Sequence, residues 1–231
     1  VEDYVYDDIN TVPKNHIYAG LNNLFGEVTW FYPGSGSASN NRSVTYNYMD
    51  SSPQRAVWTT SSLARSAWSD SHIFGKPHAT EYDSDSTSDS TVGNTDGCTT
   101  YYEHETGNNQ IKAGTATAIT ANIQSGDFDL GVQGNLQGDT NAGEVMMKIR
   151  RVLPDFLTQT GTTRVTLNLK NYPTDSEASS SLGPFDITAS TDKIDTRARA
   201  RAIALKVSNT GLAQHWKVGT FRLDIQPDGR R

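Results

Sequence analysis

The chain has 231 residues with a formal net charge of -6 and a pI near 5.3, and 35% of its residues are hydrophobic. The acidic balance argues against a basic surface that wraps nucleic acid by neutralising its phosphates, although an acidic wall facing DNA stays possible. A single cysteine, Cys98, excludes an internal disulfide and a cysteine-based zinc cluster within one chain, and no apolar run is long enough for a membrane helix.

Four short runs with strand-like alternation open the chain. They occupy residues 15–21, 27–33, 43–50 and 55–60. In the second run Val28, Trp30 and Tyr32 share one parity, the pattern of a pleated strand with β-branched and aromatic residues. Four antiparallel strands in about 45 residues match one blade of a β-propeller. The sequence therefore predicts a propeller-like part over residues 1–110, in which the runs around Ile73 and Tyr101 could begin a further blade.

Residues 82–97 form a tract rich in serine, aspartate and glycine, a composition typical of a mobile surface loop. Asp83, Asp85 and Asp89 alternate as in an oxygen-ligand loop for calcium. The turn glycine and the distal glutamate of an EF-hand are missing, so the match to that motif fails. Whether the tract binds a cation stays open, and no other metal site is predicted because the five histidines lack ligand spacing.

From Gly114 onwards the predicted strands are longer and contain fewer aromatic residues. They span 115–128, 143–156, 163–173, 183–188, 194–207 and 216–227. The cleanest alternation is that of Val165, Leu167 and Leu169 against polar neighbours, and the last run repeats it. At least six antiparallel strands without a convincing helix predict an all-β chain with a β-sandwich-like domain over residues 111–231.

The run 194–207 is predicted as one long strand. It lacks glycine and proline, and Arg197, Arg199 and Arg201 recur at two-residue spacing before apolar residues of the same parity. Because successive side chains of a strand point to opposite faces, the arginines and those apolar residues share one face unless a bulge intervenes. A helix is disfavoured, since helical spacing gives a poor apolar stripe. At roughly 3.3 Å per residue the strand would run about 46 Å and project past a core.

The three arginines form a ladder of forked donors that suits carboxylates or phosphates. Ion pairs with acidic residues of adjacent strands or of a neighbouring subunit are favoured over nucleic-acid binding. Arg197, Arg199 and Arg201 are therefore predicted to act in assembly, and whether they face a channel or a subunit interface stays open.

No catalytic or cofactor-binding constellation is visible. The serines of residues 33–38 do not form a nucleophile elbow, because Ala38 stands where its last glycine would be. A carboxylate pair such as Asp127 and Asp129 could serve a glycosidase, but sequence spacing does not establish the separation that the reaction needs. The sequence predicts a protein that is not an enzyme and binds no cofactor.

Several segments carry a family likeness, most specific where RARAR and the terminal QPDGRR occur. In chain order they read FGEVTWFYPGSGSASNNRSVTYNYMDSSPQRAVWTT, LARSAW, YYEHETG, MMKIRRVLPDF, VTLNLKNYP, GPFDIT, KIDTRARARAIALKV and WKVGTFRLDIQPDGRR. Together they resemble the C-terminal part of the tail nozzle proteins (tail hub, or packaged-DNA stabilisation proteins) of short-tailed bacteriophages.

The resemblance implies a structural virion protein, located in the tail, that contains a β-propeller and forms a six-fold ring around the DNA exit channel. The implied partners are other copies in a homo-hexamer, tail proteins such as an adaptor, fibre or needle, and duplex DNA that passes transiently without tight binding. Members are usually much longer, so the chain is expected to lack earlier blades. The alternatives are a carbohydrate- or receptor-binding module and, less favoured, a glycan-degrading tail enzyme.

Overall fold

The computed structural model describes residues 1–83, 98–112, 114–130, 136–137, 145–172, 174–175 and 180–229. Strands make up 57% of the structure and helices 7%, which confirms the predicted all-β class. The chain divides into two compact units, Val1–Thr106 (unit 1) and Gly107–Arg231 (unit 2). No helix within the described ranges is long and apolar enough to cross a membrane. The serine- and aspartate-rich tract, with its predicted mobile loop and its candidate calcium ligands, lies outside the described residues from residue 84 to 97.

Unit 1 contains two antiparallel sheets and little helix. Its elements are α1 (Glu2–Asp8), a 3-10 turn (Lys14–His16), β1 (Tyr18–Asn22), β2 (Glu27–Tyr32), β3 (Arg42–Ser52), β4 (Arg55–Ser61), β5 (Ala67–Ser69), α2 (Ser71–Phe74), β6 (His78–Asp83) and β7 (Cys98–Glu103). One sheet has the order β1-β2-β3-β4 and the other β5-β6-β7. The first is the meander of four consecutive strands that the sequence predicted.

The meander buries one of its two faces within unit 1. Phe31 is fully buried, and its ring lies 5.1 Å from that of Tyr18 and 5.6 Å from that of Trp68 on β5. A Cβ atom added to Gly20 would lie 2.6 Å from the Trp68 ring, so glycine is needed for this approach. The face of β1–β4 that carries Phe31 therefore packs on the β5-β6-β7 sheet.

Unit 2 contains the remaining thirteen described strands. They are β8 (Asn109–Lys112), β9 (Thr115–Ala118), β10 (Ala121–Gln124), β11 (Phe128–Leu130), β12 (Leu136–Gln137), β13 (Met147–Leu153), β14 (Phe156–Thr160), β15 (Thr163–Lys170), β16 (Ser181–Ile187), β17 (Ile194–Ala200), β18 (Ala202–Asn209), β19 (His215–Val218) and β20 (Arg222–Pro227). The larger sheet has the order β12-β11-β18-β15-β16, with β10 also paired to β18, and a smaller sheet has the order β17-β13-β20. The strands β14 and β19 form one further pair, and β8 and β9 form another.

One apolar core joins the larger sheet to the β17-β13-β20 sheet. Val165 and Leu167 of β15 are fully buried in it, as the alternation predicted, and so are Met147 and Ile149 of β13. Ile225 of β20 packs against the same core. At about 25 cal/mol per Å² of apolar surface removed from water, such contacts supply most of the drive for this unit to fold.

The prediction of one strand over 194–207 is wrong, because the chain changes sheets at Arg201. The segment β17 pairs with β13, whereas β18 pairs with β15, β10 and β11. Between them the backbone N–H of Arg201 donates to the carbonyl oxygen of Lys170 at 3.1 Å. Before this point even-numbered side chains such as Ala198 are buried, and after it the odd-numbered Ile203 is buried. The arginines therefore do not share a face with the apolar residues that follow, and the continuous strand of about 46 Å does not form.

Candidate binding surfaces

The outer face of the β17-β13-β20 sheet brings six of the cations of unit 2 together. Its inward side chains, such as Ile149, Ala198 and Ile225, belong to the core, so the residues between them project outward. We call this surface the cationic face. Its cations are Lys148, Arg150, Arg151, Arg197, Arg199 and Arg222, and its carboxylates are Asp195, Asp224 and Asp228. Six cations against three carboxylates give it a positive excess in a chain of net charge -6.

A β-bulge places two consecutive arginines on this face. The register of β13 against both neighbours shifts between Ile149 and Arg151. Ile149 and Val152 are both fully buried, so the two residues between them, Arg150 and Arg151, lie on the solvent side. A bulge inserts one extra residue and so breaks the strict alternation of side chains. Without it, one of the two arginines would point into the core.

Two of the cations are paired with carboxylates of the same chain. Arg151 Nε lies 2.8 Å from Asp195 Oδ1, and this contact lowers the pKa of Asp195 and raises that of Arg151. Arg199 Nε donates to Asp228 Oδ2. Within the described ranges no ion pair engages Lys148, Arg150, Arg197 or Arg222. Four positive charges on the face are therefore uncompensated by a direct contact.

The structure separates the three arginines of the predicted ladder. Arg197 and Arg199 are exposed on β17, while Arg201 is half-buried at the change of sheets. Arg199 is paired within the chain, through Asp228, and Arg197 has no ion-pair partner among the residues that the structure describes. The role of the three in assembly stays a prediction, since these contacts lie within one chain.

The second surface is the outer face of the meander, which we call the aromatic face. Leu21, Val28, Tyr46 and Trp58 pair in a single row across β1 to β4. The ring of Trp58 lies 4.8 Å from that of Tyr46 and 5.9 Å from that of Trp30 on the neighbouring row. Trp30 keeps 36% and Trp58 39% of its surface exposed. Rings in this arrangement suit stacking against a sugar ring or packing against another apolar sheet.

A buried charged centre lies inside unit 1. The Arg65 side chain is only 4% exposed, lies 4.0 Å above the ring of Tyr102 and places Nη1 3.4 Å from Glu81 Oε2. Its Nε donates to Nε2 of His104 at 3.0 Å. Burial lowers the pKa of Arg65, while Glu81 acts in the opposite direction. Because its donors reach groups of unit 1 itself, we assign Arg65 a structural role. No sequence motif marks it.

The acidic pair considered for catalysis is partly engaged in other contacts. Lys170 Nζ lies 2.7 Å from Asp127 Oδ2, and burial raises the pKa of Asp129. No group of three or more histidine, cysteine, aspartate or glutamate side chains is placed to hold a metal ion within the described ranges. That the protein is not an enzyme stays a prediction.

No protein-family model matches the chain, and no curated protein matches it significantly.

Proposed function

We propose that the chain is a structural component of the tail of a short-tailed bacteriophage, of the class of ring-forming nozzle proteins that line or close the DNA exit channel. In this proposal unit 1 is a β-propeller part and unit 2 a β-sandwich-like domain. The ordered sequence segments that resemble the nozzle proteins support the assignment. The segments that carry this resemblance form the strands of the β1–β4 meander and of the β17-β13-β20 sheet.

The observation that carries the proposal is the two-sided character of the meander. One face packs through Phe31 and Gly20 on the next sheet, and the opposite face leaves Trp30 and Trp58 exposed, with Tyr46 half-buried beside them. The blades of a propeller have this property, since each blade packs between two others. Exposed aromatic surface of this kind favours a protein that functions inside a larger assembly over an independent monomer.

The oligomeric state tests the proposal. We expect the purified chain to form rings, most simply hexamers, which mass photometry and negative-stain imaging would detect. Cyclic symmetry covers sheet edges and apolar faces that a single copy leaves open. A folded, monodisperse monomer at micromolar concentration would contradict the ring.

A second candidate function is carbohydrate or receptor binding, and the aromatic face favours it. Tryptophan and tyrosine rings lie 4.8–5.9 Å apart and are tilted by 36° and 40° to one another, and an exposed tryptophan ring of this group offers a sugar a surface to stack on. Binding on a glycan array that is lost in Trp58→Ala would support this module. Release of reducing sugar would instead indicate a glycan-degrading enzyme.

A further inference from the structure

We propose that the cationic face binds the sugar–phosphate backbone of nucleic acid, weakly and without sequence preference. The inference is independent of ring formation, because every residue that carries it lies on one sheet of one chain. It goes beyond the proposed tail role by assigning a contact surface to particular residues.

The first argument is that the face places like charges side by side. Lys148 is directly opposite Arg199 in the register of β13 and β17. Arg150 lies between the pairs Ile149–Ala198 and Arg151–Asp195, where the register shift sets it against the segment Thr196 and Arg197. Like charges on facing positions of a sheet destabilise it. An external anion would remove this repulsion, and the described part of the chain places three carboxylates beside the six cations of the face.

The second argument concerns the geometry of the donors. Neighbouring strands are about 4.8 Å apart and alternate residues of one strand about 6.7 Å apart, so the uncompensated cations form a closely spaced array. Arg150, Arg197 and Arg222 are all exposed, and each carries a planar guanidinium that can donate two parallel hydrogen bonds to a phosphate. Contacts of this type fix nucleic acid through its backbone and carry no sequence information.

The third argument separates nucleic acid from a protein partner. Protein interfaces have an apolar or aromatic centre in which charged residues are depleted. On the cationic face Leu153 is the one large apolar residue that projects outward from the three strands, and it is 37% exposed. Because apolar anchors are scarce there, a phosphate backbone fits the surface better than an acidic protein does.

The size of the effect follows from the four uncompensated cations. If each neutralises one phosphate, the logarithm of the affinity falls with the logarithm of salt concentration at a slope of about -3.6. Raising the salt from about 50 to about 200 mM would then weaken binding about 150-fold. At physiological salt the dissociation constant should lie in the range of about 1 to 100 µM, typical of non-specific binding.

The experiment is an anisotropy titration of the full chain with two duplexes of unrelated sequence, at several salt concentrations. The test variant is Arg150→Ala, Arg197→Ala and Arg222→Ala combined. The matched control is Lys14→Ala, Arg55→Ala and Lys217→Ala combined, which removes the same charge from exposed positions outside the face. Circular dichroism would show that both variants fold, as expected for exposed side chains without ion pairs in the described structure.

We expect the two duplexes to bind equally. The test variant should bind at least tenfold more weakly at low salt, with a slope reduced by about 2.7, while the control should change little. Equal losses in both variants, or no binding at about 50 mM salt, would overturn the proposal. Displacement of the duplex by poly-glutamate as efficiently as by unlabelled DNA would also overturn it, in favour of an acidic protein partner.

Discussion

The guanidinium of Arg65 donates a hydrogen bond through Nε to Nε2 of His104, at 3.0 Å, in the interior of unit 1. The histidine must therefore be neutral and carry its proton on Nδ1, because a protonated Nε2 has no lone pair to accept with. Burial, together with the charges of Arg65 and His78, lowers the pKa of His104 to about 4. The packing of unit 1 thus depends on an uncharged histidine beside a permanent cation.

We predict that unit 1 loses stability as the pH falls from about 6.5 towards 4. The unfolded chain binds a proton at His104 with a pKa near 6.5, whereas the folded chain resists protonation down to about 4, so lowering the pH favours unfolding. The side chain is half-buried, and solvent screening reduces the full effect to about 1–2 kcal/mol.

Urea unfolding at pH 7, 5.5 and 4.5 would measure this loss through tryptophan fluorescence, since Trp30, Trp58 and Trp68 all lie in unit 1. His104→Gln is the control, because its amide oxygen still accepts from Arg65 and does not titrate. If the two proteins show the same pH dependence, His104 is not its source.

We predict that Arg65→Met destabilises unit 1 by about 3 kcal/mol. The substitution keeps the length of the side chain but removes the cation opposite Glu81 and the donor to His104. Arg65→Lys should recover part of the loss, since an ammonium retains the charge without the fork of donors. The free energy of unfolding in urea gives the measurement. The exposed Arg55→Met should change it by less than about 0.5 kcal/mol.

We predict that Gly20→Ala destabilises unit 1 by about 1–3 kcal/mol. The added methyl group would meet Cγ and Cδ1 of Trp68 at 2.6 Å, closer than van der Waals contact allows, so the two sheets would have to move apart. Gly126→Ala serves as the comparison, because nothing lies within 4 Å of the Cβ atom built there. If both variants melt at the same temperature as the parent, the Trp68 side chain can move aside without loss of stability, and the prediction is wrong.

We predict that Ile203→Ala costs unit 2 about 2–5 kcal/mol, because Ile203 is fully buried where β18 enters the core. The matched variant is Ile123→Ala on β10, where 55% of the side chain is already exposed. It should cost under about 1 kcal/mol. Denaturant unfolding followed by circular dichroism would compare the two. Equal costs would contradict the position assigned to the core.

The parts of the fold that the sequence predicted correctly are those set by local alternation. The meander follows from short runs of β-branched and aromatic residues with turn-rich segments between them. Val165 and Leu167 alternate with polar residues because one side of β15 faces the core. The change of sheet at Arg201 has no such local signal. It depends on which strands lie beside the segment, and period-two spacing continues through it in the sequence.

The cationic face could be predicted only in part for the same reason. Arg197 and Arg199 stand out because they are two residues apart. Arg222 lies on the same face as these two residues because β20 pairs with β13, which the sequence does not reveal. Arg150 points outward together with Arg151 because of the bulge. The net charge did not indicate this surface either, because the total of -6 is a sum over the whole chain and does not describe one sheet.

The passage of the chain through Arg201 also has a mechanical consequence for unit 2. A pull on β17 is transmitted by covalent bonds to β18, which pairs with β15, β10 and β11. The β17-β13-β20 sheet therefore cannot be peeled away without loading the larger sheet through that junction. A force that pulls on β17 therefore acts on both sheets of unit 2.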